Sequence, residues 1–383
     1  MTQQGFRATF MRGGTSKAVM FRRDDLPANP AEWDASFLGV MGSPDRNGRQ
    51  LDGMGGGLSS VSKVCVVGPP TRDDADVDYT FAQIGVRESL VDYSGNCGNM
   101  SSAIGPFAVH RGLVAMPKDG KTKVRIHNTN TSRIIIAHFE VKNGQALVDG
   151  DMELDGVTGS GSPVRLEFDK PGGGKTGRLL PTGNTVDELD IEGVSKIEAT
   201  LVDAGNPCVF IAASVLGKMA TESPDFLQAD SEFMDRIERI RCQGSVAMGL
   251  AASLDEASKI QSIPKIGIVA APADYTSLSG EVVHAADHDL LIRMISVGQP
   301  HRAIPLTAAV CAAVAARVPA SLVQRHAARG DAPIRIGHPS GVIVVDAKVT
   351  VDSEGTAVAV YGAVYRTARM LFDGTVFCRN SRQ

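Results

Sequence analysis

The sequence lacks the features that mark a nucleic-acid-binding or membrane protein. Its 39 basic and 43 acidic residues give a formal net charge of −4, and no strong basic block stands out, which argues against nucleic acid as the main partner. No run reaches the ~18 apolar residues that a membrane helix needs, and the first residues contain no apolar signal core. We therefore expect a cytoplasmic protein that binds neither nucleic acid nor a membrane.

The cysteines form no recognisable disulfide or zinc pattern. All six stand singly, without a CxxC pair, which indicates a reduced protein without disulfides. Cys65, Cys208 and Cys311 lie in apolar runs and are expected to be core thiols. The Gly-Gly-Thr-Ser-Lys turn at 13–17 is not a P-loop, because the GxxxxGK[ST] spacing and the following helix are missing. We expect catalysis without a metal, nucleotide or flavin cofactor.

Aromatic residues make up only 5% of the chain, whereas 41 glycines predict many tight turns and close backbone approaches. The 383 residues suffice for two domains, which we place at 1–185 and 186–383, with the last strands free to pack on the first domain. Each half combines several strands with an apolar helix that follows a turn. This predicts a pseudo-duplicated α+β protein whose ligand turns converge on an inter-domain cleft.

The coarse secondary structure follows from hydrophobic periodicity and turn residues. Strands are predicted at several places, including 356–366 and 375–378 near the end of the chain. The predicted helices lie at about 30–41, 97–110, 230–241, 288–296, 304–316 and 319–328.

The most informative stretch surrounds Cys97. A strand-like run ends in a turn rich in Gly and Asn, and an apolar helical pattern follows, so Cys97 is expected at or just before a helix N-terminus. Unpaired N–H groups and the helix dipole stabilise a thiolate there and also attract a carboxylate. Gly95 and Gly98 leave room for a small ligand. A buried structural cysteine in a turn is the alternative.

Lys63 stands where a loop of glycines and serines meets a buried-looking strand, Val64 to Val67. A lysine at such a border is usually solvated. If it were instead drawn into a desolvated pocket, it could transfer protons. The turn at 13–17 offers N–H groups, hydroxyls and a cation to an anion, but on local grounds it could equally be an ordinary hairpin.

Several motifs together resemble one family. They are Met11 to Lys17, Gly53-Met54-Gly55-Gly56, Ser62-Lys63, Asn96-Cys97-Gly98-Asn99, Pro181 to Asn184 and Gly337-His338-Pro339-Ser340-Gly341. The chain is similar to the PrpF family, the 2-methylaconitate cis–trans isomerases and their relatives. The resemblance implies a diaminopimelate epimerase-like fold, in which each of two domains wraps a curved sheet around a central helix.

The resemblance also implies the site. Lys63 and Cys97 would form the acid/base pair, with neither direction of proton transfer assigned. Turns rich in Gly, Ser, Thr and Asn would hold the substrate carboxylates. The substrate-binding candidates are Gly14, Thr15, Ser16, Lys17, Ser59, Ser60, Ser62, Asn96, Gly98, Asn99, Met100, Ser101, Thr182, Gly183, Asn184, Asn206, Ser340 and Gly341.

The implied function is a cofactor-independent isomerase. It would move a double bond, by 1,3-allylic proton transfer or by cis–trans isomerisation, in an unsaturated di- or tricarboxylate, with 2-methylaconitate or aconitate as the first expectation. 4-Oxalomesaconate tautomerase and methylitaconate isomerase are the alternatives. An amino-acid epimerase of the same fold would need a second thiol at the second central helix, where the sequence reads Ala303-Ile304-Pro305-Leu306-Thr307. A carboxylate-binding protein without catalysis is a further alternative, and a homodimer is a possible assembly.

Overall fold

The computed structural model describes residues 3–191, 196–328, 330, 332–353 and 355–379. The chain forms two compact units. The first runs up to Glu167 and takes in the residues from Tyr365 onwards, and the second comprises Phe168–Val364. These units reflect packing, and the domain boundary suggested after residue 185 stays a prediction.

The described residues contain seven α-helices. They are α1 Trp33–Met41, α2 Gly98–His110, α3 Pro224–Ala229, α4 Ser231–Ala247, α5 Leu254–Lys259, α6 Leu306–Arg317 and α7 Leu322–His326. None of the helices in this part of the chain is long and apolar enough to cross a membrane.

The strands follow a similar plan in the two units. The strands up to the unit boundary are β1 Gln3–Gly13, β2 Ser16–Arg22, β3 Lys63–Gly68, β4 Val77–Ile84, β5 Val91–Asp92, β6 Gly120–Asn128, β7 Arg133–Lys142, β8 Gln145–Ala146, β9 Met152–Leu154, β10 Val157–Gly161 and β11 Pro163–Asp169. The later strands are β12 Asp187–Asp190, β13 Lys196–Ala204, β14 Asn206–Ala212, β15 Lys265–Ala270, β16 Tyr275–Thr276, β17 Val282–Val283, β18 Leu290–Ser296, β19 Gln299–Pro300, β20 Ile334–His338, β21 Gly341–Val351 and β22 Ala357–Arg379.

The strand pairing repeats. In the first unit β1 and β2 form an antiparallel hairpin, β3 runs parallel to β2, β4 antiparallel to β3, β6 parallel to β4, and β7 antiparallel to β6. Strands β13, β14, β15, β18, β20 and β21 repeat this series in the second unit. Helix α2 comes between β4 and β6 in the chain, and α6 comes between β18 and β20. The predicted α+β class and pseudo-duplication are confirmed.

Both central helices are buried nearly all round, because neighbouring elements surround them. In α2 every residue from Met100 to Val109 is buried, and in α6 every residue from Ala308 to Ala316 is buried. Such helices belong to a core rather than to a surface.

The two faces of the first sheet have different roles. Val64 and Val66 of β3 pack with Trp33 and Phe37 in one apolar cluster, in which Phe37 stacks on Phe21 of β2. Each such large side chain contributes about 1.5–3 kcal/mol on burial. Because side chains alternate along a strand, the other residues of β3 face the opposite side, and Lys63 is the first of them.

Two sequence predictions need correction. The segment 288–296, predicted to be a helix, contains β18, and all seven residues of Leu290–Ser296 are buried. A short continuous apolar run fits a buried strand as well as a buried helix, so its periodicity could not decide. The closing strands predicted at 356–366 and 375–378 form one 23-residue strand, β22.

Candidate active site

Cys97 is the N-cap residue of α2, as the sequence predicted. Its backbone is extended, with φ −106° and ψ 97°, and its side chain makes no capping hydrogen bond. The first turn of α2 contains no acidic residue. The first N–H groups of a helix have no intrahelical acceptor, so an anion can bind there. Of the six cysteines only Cys97 is half-buried, and the other five are buried.

Lys63 begins β3 and is only 8% exposed. Its cross-strand neighbour in β4 is Gln83, whose Oε1 accepts a hydrogen bond from Lys63 Nζ. The Nζ atom also lies 5.2 Å from the centre of the Phe81 ring. Among the described residues no carboxylate lies within ion-pair distance of Lys63. The amine therefore contacts a neutral amide and an aromatic ring in a site that is largely shielded from water.

Cys65 connects the two groups. It follows Lys63 by two residues in β3 and therefore shares its face of the sheet. Burial, reinforced by the nearby Cys97, raises the pKa of Cys65, whereas the charge of Lys63 acts in the opposite direction. The Cys65 thiol lies 3.8 Å from the Tyr79 hydroxyl. Lys63 and Cys97 thus lie close enough to one buried thiol for both to influence it.

The turn between β1 and β2 lies against the start of α2. A Cβ atom on Gly13 would be 2.7 Å from the Asn99 carbonyl oxygen, and one on Gly14 would be 2.4 Å from Asn99 Oδ1. Gly14 also has φ +51°, which favours glycine. Asn99 Nδ2 donates to Thr15 Oγ1 at 3.1 Å. The turn at 13–16, Asn99 and Cys97 therefore form one polar surface at the helix N-terminus.

Lys17 lies on another face. Strand alternation places it with Val19 and Phe21 of the α1-side cluster, and its Nζ lies 5.7 Å from the Phe10 ring. Ser16, by contrast, is buried at the β2 end of the turn. The structure thus brings Gly14, Thr15 and Ser16 to the Cys97 side of the sheet and Lys17 to the opposite side.

The loop before Lys63 is held by internal hydrogen bonds. Ser59 and Ser60 lie in a 3-10 turn, Ser59–Val61, in which Ser59 is exposed and Ser60 is half-buried. Ser62 is fully buried, where its hydroxyl donates to the Ile84 carbonyl at 3.1 Å and accepts from Gln50 Nε2 at 2.8 Å. The Ser62 side chain is thereby committed to the loop rather than to a ligand.

The remaining candidates of the first unit adjoin Cys97. Ser101 is buried and donates through its hydroxyl to the Cys97 carbonyl at 3.1 Å. Asn96 Oδ1 accepts from Asn128 Nδ2 at 3.3 Å. Gly98 is the first residue of α2, and Met100 is buried within its first turn. Ser101 and Asn96 therefore hold the peptide segment on both sides of the thiol.

The other candidates lie in the second unit, in three separate turns. Thr182 and Asn184 both bond to Asp187 at 2.8 Å, and Gly183 between them has φ +85°. Ser340 donates through its hydroxyl to the Arg302 carbonyl at 2.6 Å. Gly341 follows it at the start of β21.

An asparagine–threonine hydrogen bond joins turn and central helix in the second unit as in the first, but with the positions exchanged, because Asn206 lies at the turn and Asn99 lies on the helix. Asn206 Nδ2 donates to Thr307 Oγ1 at 3.1 Å, which joins the β13–β14 turn to the first turn of α6. The N-cap of α6 is Pro305, where α2 has Cys97. Cys311 is fully buried inside α6, where burial raises its pKa well above the ordinary value. It is a core thiol, as predicted.

Comparison with known proteins identifies the family. The family model described as PrpF protein matches residues 3–379. A 2-methyl-aconitate isomerase of Cupriavidus necator is 44% identical, with 96% of each chain covered, and one of Shewanella oneidensis is 42% identical at the same coverage. The chain belongs to the PrpF family. A crystal structure titled as methylitaconate-delta-isomerase superposes with a TM-score of 0.91 at 38% identity, covering 100% of this chain and 97% of that one.

This PrpF protein is thus an isomerase with the diaminopimelate epimerase-like fold. No group of three or more His, Cys, Asp or Glu side chains placed to hold a metal ion occurs in the described part of the chain. The cytoplasmic location and the homodimer stay predictions.

Sequence reasoning missed Gln83 and the second-unit equivalent of Lys63. Gln83 bonds Lys63 through its oxygen, and its Nε2 donates to the Ser59 and Ser62 carbonyls at 3.1 and 2.9 Å. Lys265 begins β15 as Lys63 begins β3, and its Nζ donates to its cross-strand neighbour Ser296 at 3.1 Å. Burial lowers the pKa of Lys265. Only the strand pairing, which the sequence did not supply, reveals either residue.

Proposed function

We propose that this PrpF isomerase moves a carbon–carbon double bond by 1,3-proton transfer within an unsaturated di- or tricarboxylate, with 2-methylaconitate or aconitate as the substrate. The proposal is supported above all by the state of two side chains: the Lys63 amine is largely buried against the neutral Gln83 amide, and Cys97 is the N-cap residue of α2 with a side chain that makes no capping hydrogen bond. The names of the two most similar relatives described above support a tricarboxylate substrate.

The chemistry needs two proton-transfer groups and a site for negative charge. One of Lys63 and Cys97 removes a proton from the carbon next to the double bond, and the electron pair spreads over the allyl system and its carboxylate. The other group delivers a proton to the far carbon, so the double bond moves and the overall composition is unchanged. Each well-placed acid or base contributes about 10²–10⁴-fold in rate.

The N-terminus of α2 is suited to the carboxylate beside the reacting carbons. Its first N–H groups, the Asn99 amide and the Thr15 hydroxyl are neutral donors, and fixed donors stabilise developing charge without reorganisation. The turns at 182–184, 206 and 340–341 are proposed to hold the other carboxylates.

The second unit argues against an epimerase. Two-sided inversion at one carbon by two thiols would need a cysteine at the start of α6, where Pro305 stands, and Cys311 is buried within the helix. Alkylation of the native protein should accordingly modify Cys97 and leave Cys311 unmodified.

The reaction is tested by proton NMR in D₂O. The panel consists of 2-methylaconitate, cis- and trans-aconitate, methylitaconate and 4-oxalomesaconate. Migration of the double bond with entry of deuterium into one acid identifies both reaction and substrate. If none of these acids reacts while proline or diaminopimelate exchanges its α-proton, the isomerisation proposal fails.

We predict that Lys63→Ala and Cys97→Ser each lower kcat at least about 100-fold, because each removes one of the two proton-transfer groups. Lys196→Ala is the matched lysine control, since Lys196 is exposed and pairs with the exposed Glu188. Cys242→Ser is the thiol control, because burial raises the pKa of Cys242 to about 11. Full activity in either site variant removes that residue from the mechanism.

A further inference from the structure

Arg366 is a buried cation without a counter-ion among the described residues. It lies in β22 and is only 7% exposed. Its Nη1 donates to the Tyr365 carbonyl at 2.8 Å, and its Nε donates to Asn99 Oδ1 at 3.1 Å. Within the described residues no carboxylate lies within ion-pair distance of it. Burial lowers its pKa to about 10, so it remains charged at neutral pH.

Arg366 determines which way the Asn99 amide faces. Because Oδ1 accepts from Arg366, Nδ2 is left to donate to Thr15 Oγ1. The Gly14 backbone packs closely against both side chains. A Cβ atom at this position would lie 3.1 Å from Arg366 Cδ and 2.4 Å from Asn99 Oδ1. The cation, the amide and the hydroxyl thus form a chain behind the N-terminus of α2.

Burial of the Arg366 charge lowers the stability of the folded protein unless an anion binds nearby. Removing a charge from water costs several kcal/mol when no opposite charge compensates it. The positive end of α2 adds charge of the same sign on the same side. A carboxylate bound at the turn would supply the missing negative charge without any change in the protein.

We propose that Arg366 is a positioning residue for a substrate carboxylate. It acts through Asn99, by fixing the amide donors toward the bound anion and by keeping a positive charge behind the Gly14–Thr15 turn and the start of α2. The identification of the anion as a substrate carboxylate rests on the proposed function. The position of the Arg366 charge does not depend on that function.

The test uses two alkylating reagents on the native full-length protein. Iodoacetate carries a carboxylate and iodoacetamide is neutral, so the ratio of their rate constants at Cys97 reports attraction of a carboxylate. Thiolate content affects both reagents alike and cancels in the ratio. Cys97-containing peptides are quantified by mass spectrometry.

Two variants should lower the ratio. Arg366→Met removes the charge, and we expect the iodoacetate-to-iodoacetamide ratio to fall about fivefold. Asn99→Asp gives Arg366 a carboxylate partner of the same shape in place of the amide, and we expect a similar fall without loss of folding. Arg366→Lys retains the charge and should keep the ratio within about twofold of the original.

Arg369→Met is the matched control. Arg369 lies three residues further along β22 and is exposed. In the strand register it stands opposite Arg12 of β1, and alternation along β22 places its side chain on the other face of the sheet from Arg366. Its loss removes the same charge and should leave the ratio unchanged. If folded Asn99→Asp had the same iodoacetate-to-iodoacetamide ratio as the original protein, the proposal would be overturned, even if Arg366→Met failed to fold.

The same variants separate this proposal from the reaction itself. If the original protein isomerises none of the acids in the panel and the ratio still falls in the two variants, the carboxylate position stands and the reaction proposal fails. If isomerisation is confirmed, Arg366→Met should raise KM more than it lowers kcat. An unchanged KM together with an unchanged ratio would overturn the role of Arg366 alone.

Discussion

At the scale of single residues, the chemistry depends on which groups the lysine and the thiol contact. Lys63 meets the neutral Gln83 amide and the Phe81 ring, and Cys97 stands at the end of a helix that uses no side chain as its cap. Neither residue is tied to a carboxylate in the described structure. This favours two proton-transfer groups over a structural ion pair.

Gln83 offers a direct test of the Lys63 environment. Gln83→Glu places a carboxylate beside the amine, which favours the charged lysine. We predict that the pH dependence of kcat/KM in this variant is displaced to higher pH relative to the original protein, because the added carboxylate stabilises the protonated amine. The measurement is kcat/KM as a function of pH.

Gln83→Met is the control for that prediction. Both substitutions remove the two hydrogen bonds from Gln83 Nε2 to the loop carbonyls, so both share any loosening of Ser59–Ser62. Only Gln83→Glu introduces charge. Identical pH profiles for the two variants would contradict this prediction.

At the scale of elements, short helices depend on their caps because they have few internal hydrogen bonds. Helix α7 has five residues, and its N-cap Ser321 is fully buried. The Ser321 hydroxyl accepts from the Gln324 N–H at 3.0 Å and donates to the Ala315 carbonyl of α6 at 2.6 Å. It therefore joins α7 to the central helix of its unit.

We predict that Ser321→Ala lowers the free energy of unfolding by about 2 kcal/mol, because it leaves buried backbone groups without partners. Ser253→Ala is the comparison, since Ser253 caps α5 at an exposed position and accepts from Glu256 N at 3.2 Å. Ser253→Ala should lower the free energy of unfolding by about 1 kcal/mol or less. Urea unfolding measures both, and equal costs would mean that burial of the cap does not matter.

At the scale of the whole molecule, several ionisable groups respond to acid in the same direction. Burial lowers the pKa of His138, His288 and His301, so these side chains are neutral when folded and take up protons more readily when unfolded. The carboxyls of Asp230 and Asp274 have pKa values below normal, chiefly because Lys218 bonds the first and the Ala285 N–H bonds the second.

The unfolded chain therefore binds more protons than the folded chain, both in the pH range where the histidines titrate and in the range where the carboxyls titrate. We predict that the free energy of unfolding falls as pH drops below about 6.5, where unfolded histidines become charged, and falls again below about 4, where carboxylates are protonated. Thermal unfolding from pH 8 to pH 3 at constant ionic strength measures this. His288→Gln should reduce the first fall, and a stability maximum below pH 5 would contradict the prediction.

The local features of this protein can be predicted from its sequence. The Gly/Asn turn before an apolar run located Cys97 at the start of α2, and the border between a glycine loop and a β-branched run located Lys63 at the start of β3. Both follow from short-range conformational preferences. The family motifs are likewise contiguous stretches, so the family and the fold could be inferred without structure.

Which distant residues contact one another depends on the folded chain. Gln83 opposes Lys63 across 20 residues, and Arg366 reaches Asn99 across 267, because strand register and the return of β22 bring them together. The sequence predicts a helix at 288–296, where the structure has the strand Leu290–Ser296, because burial on all sides removes the periodicity that separates the two. The resemblance implies that Lys17 supplies positive charge to the site, whereas alternation along β2 puts it on the other face of the sheet.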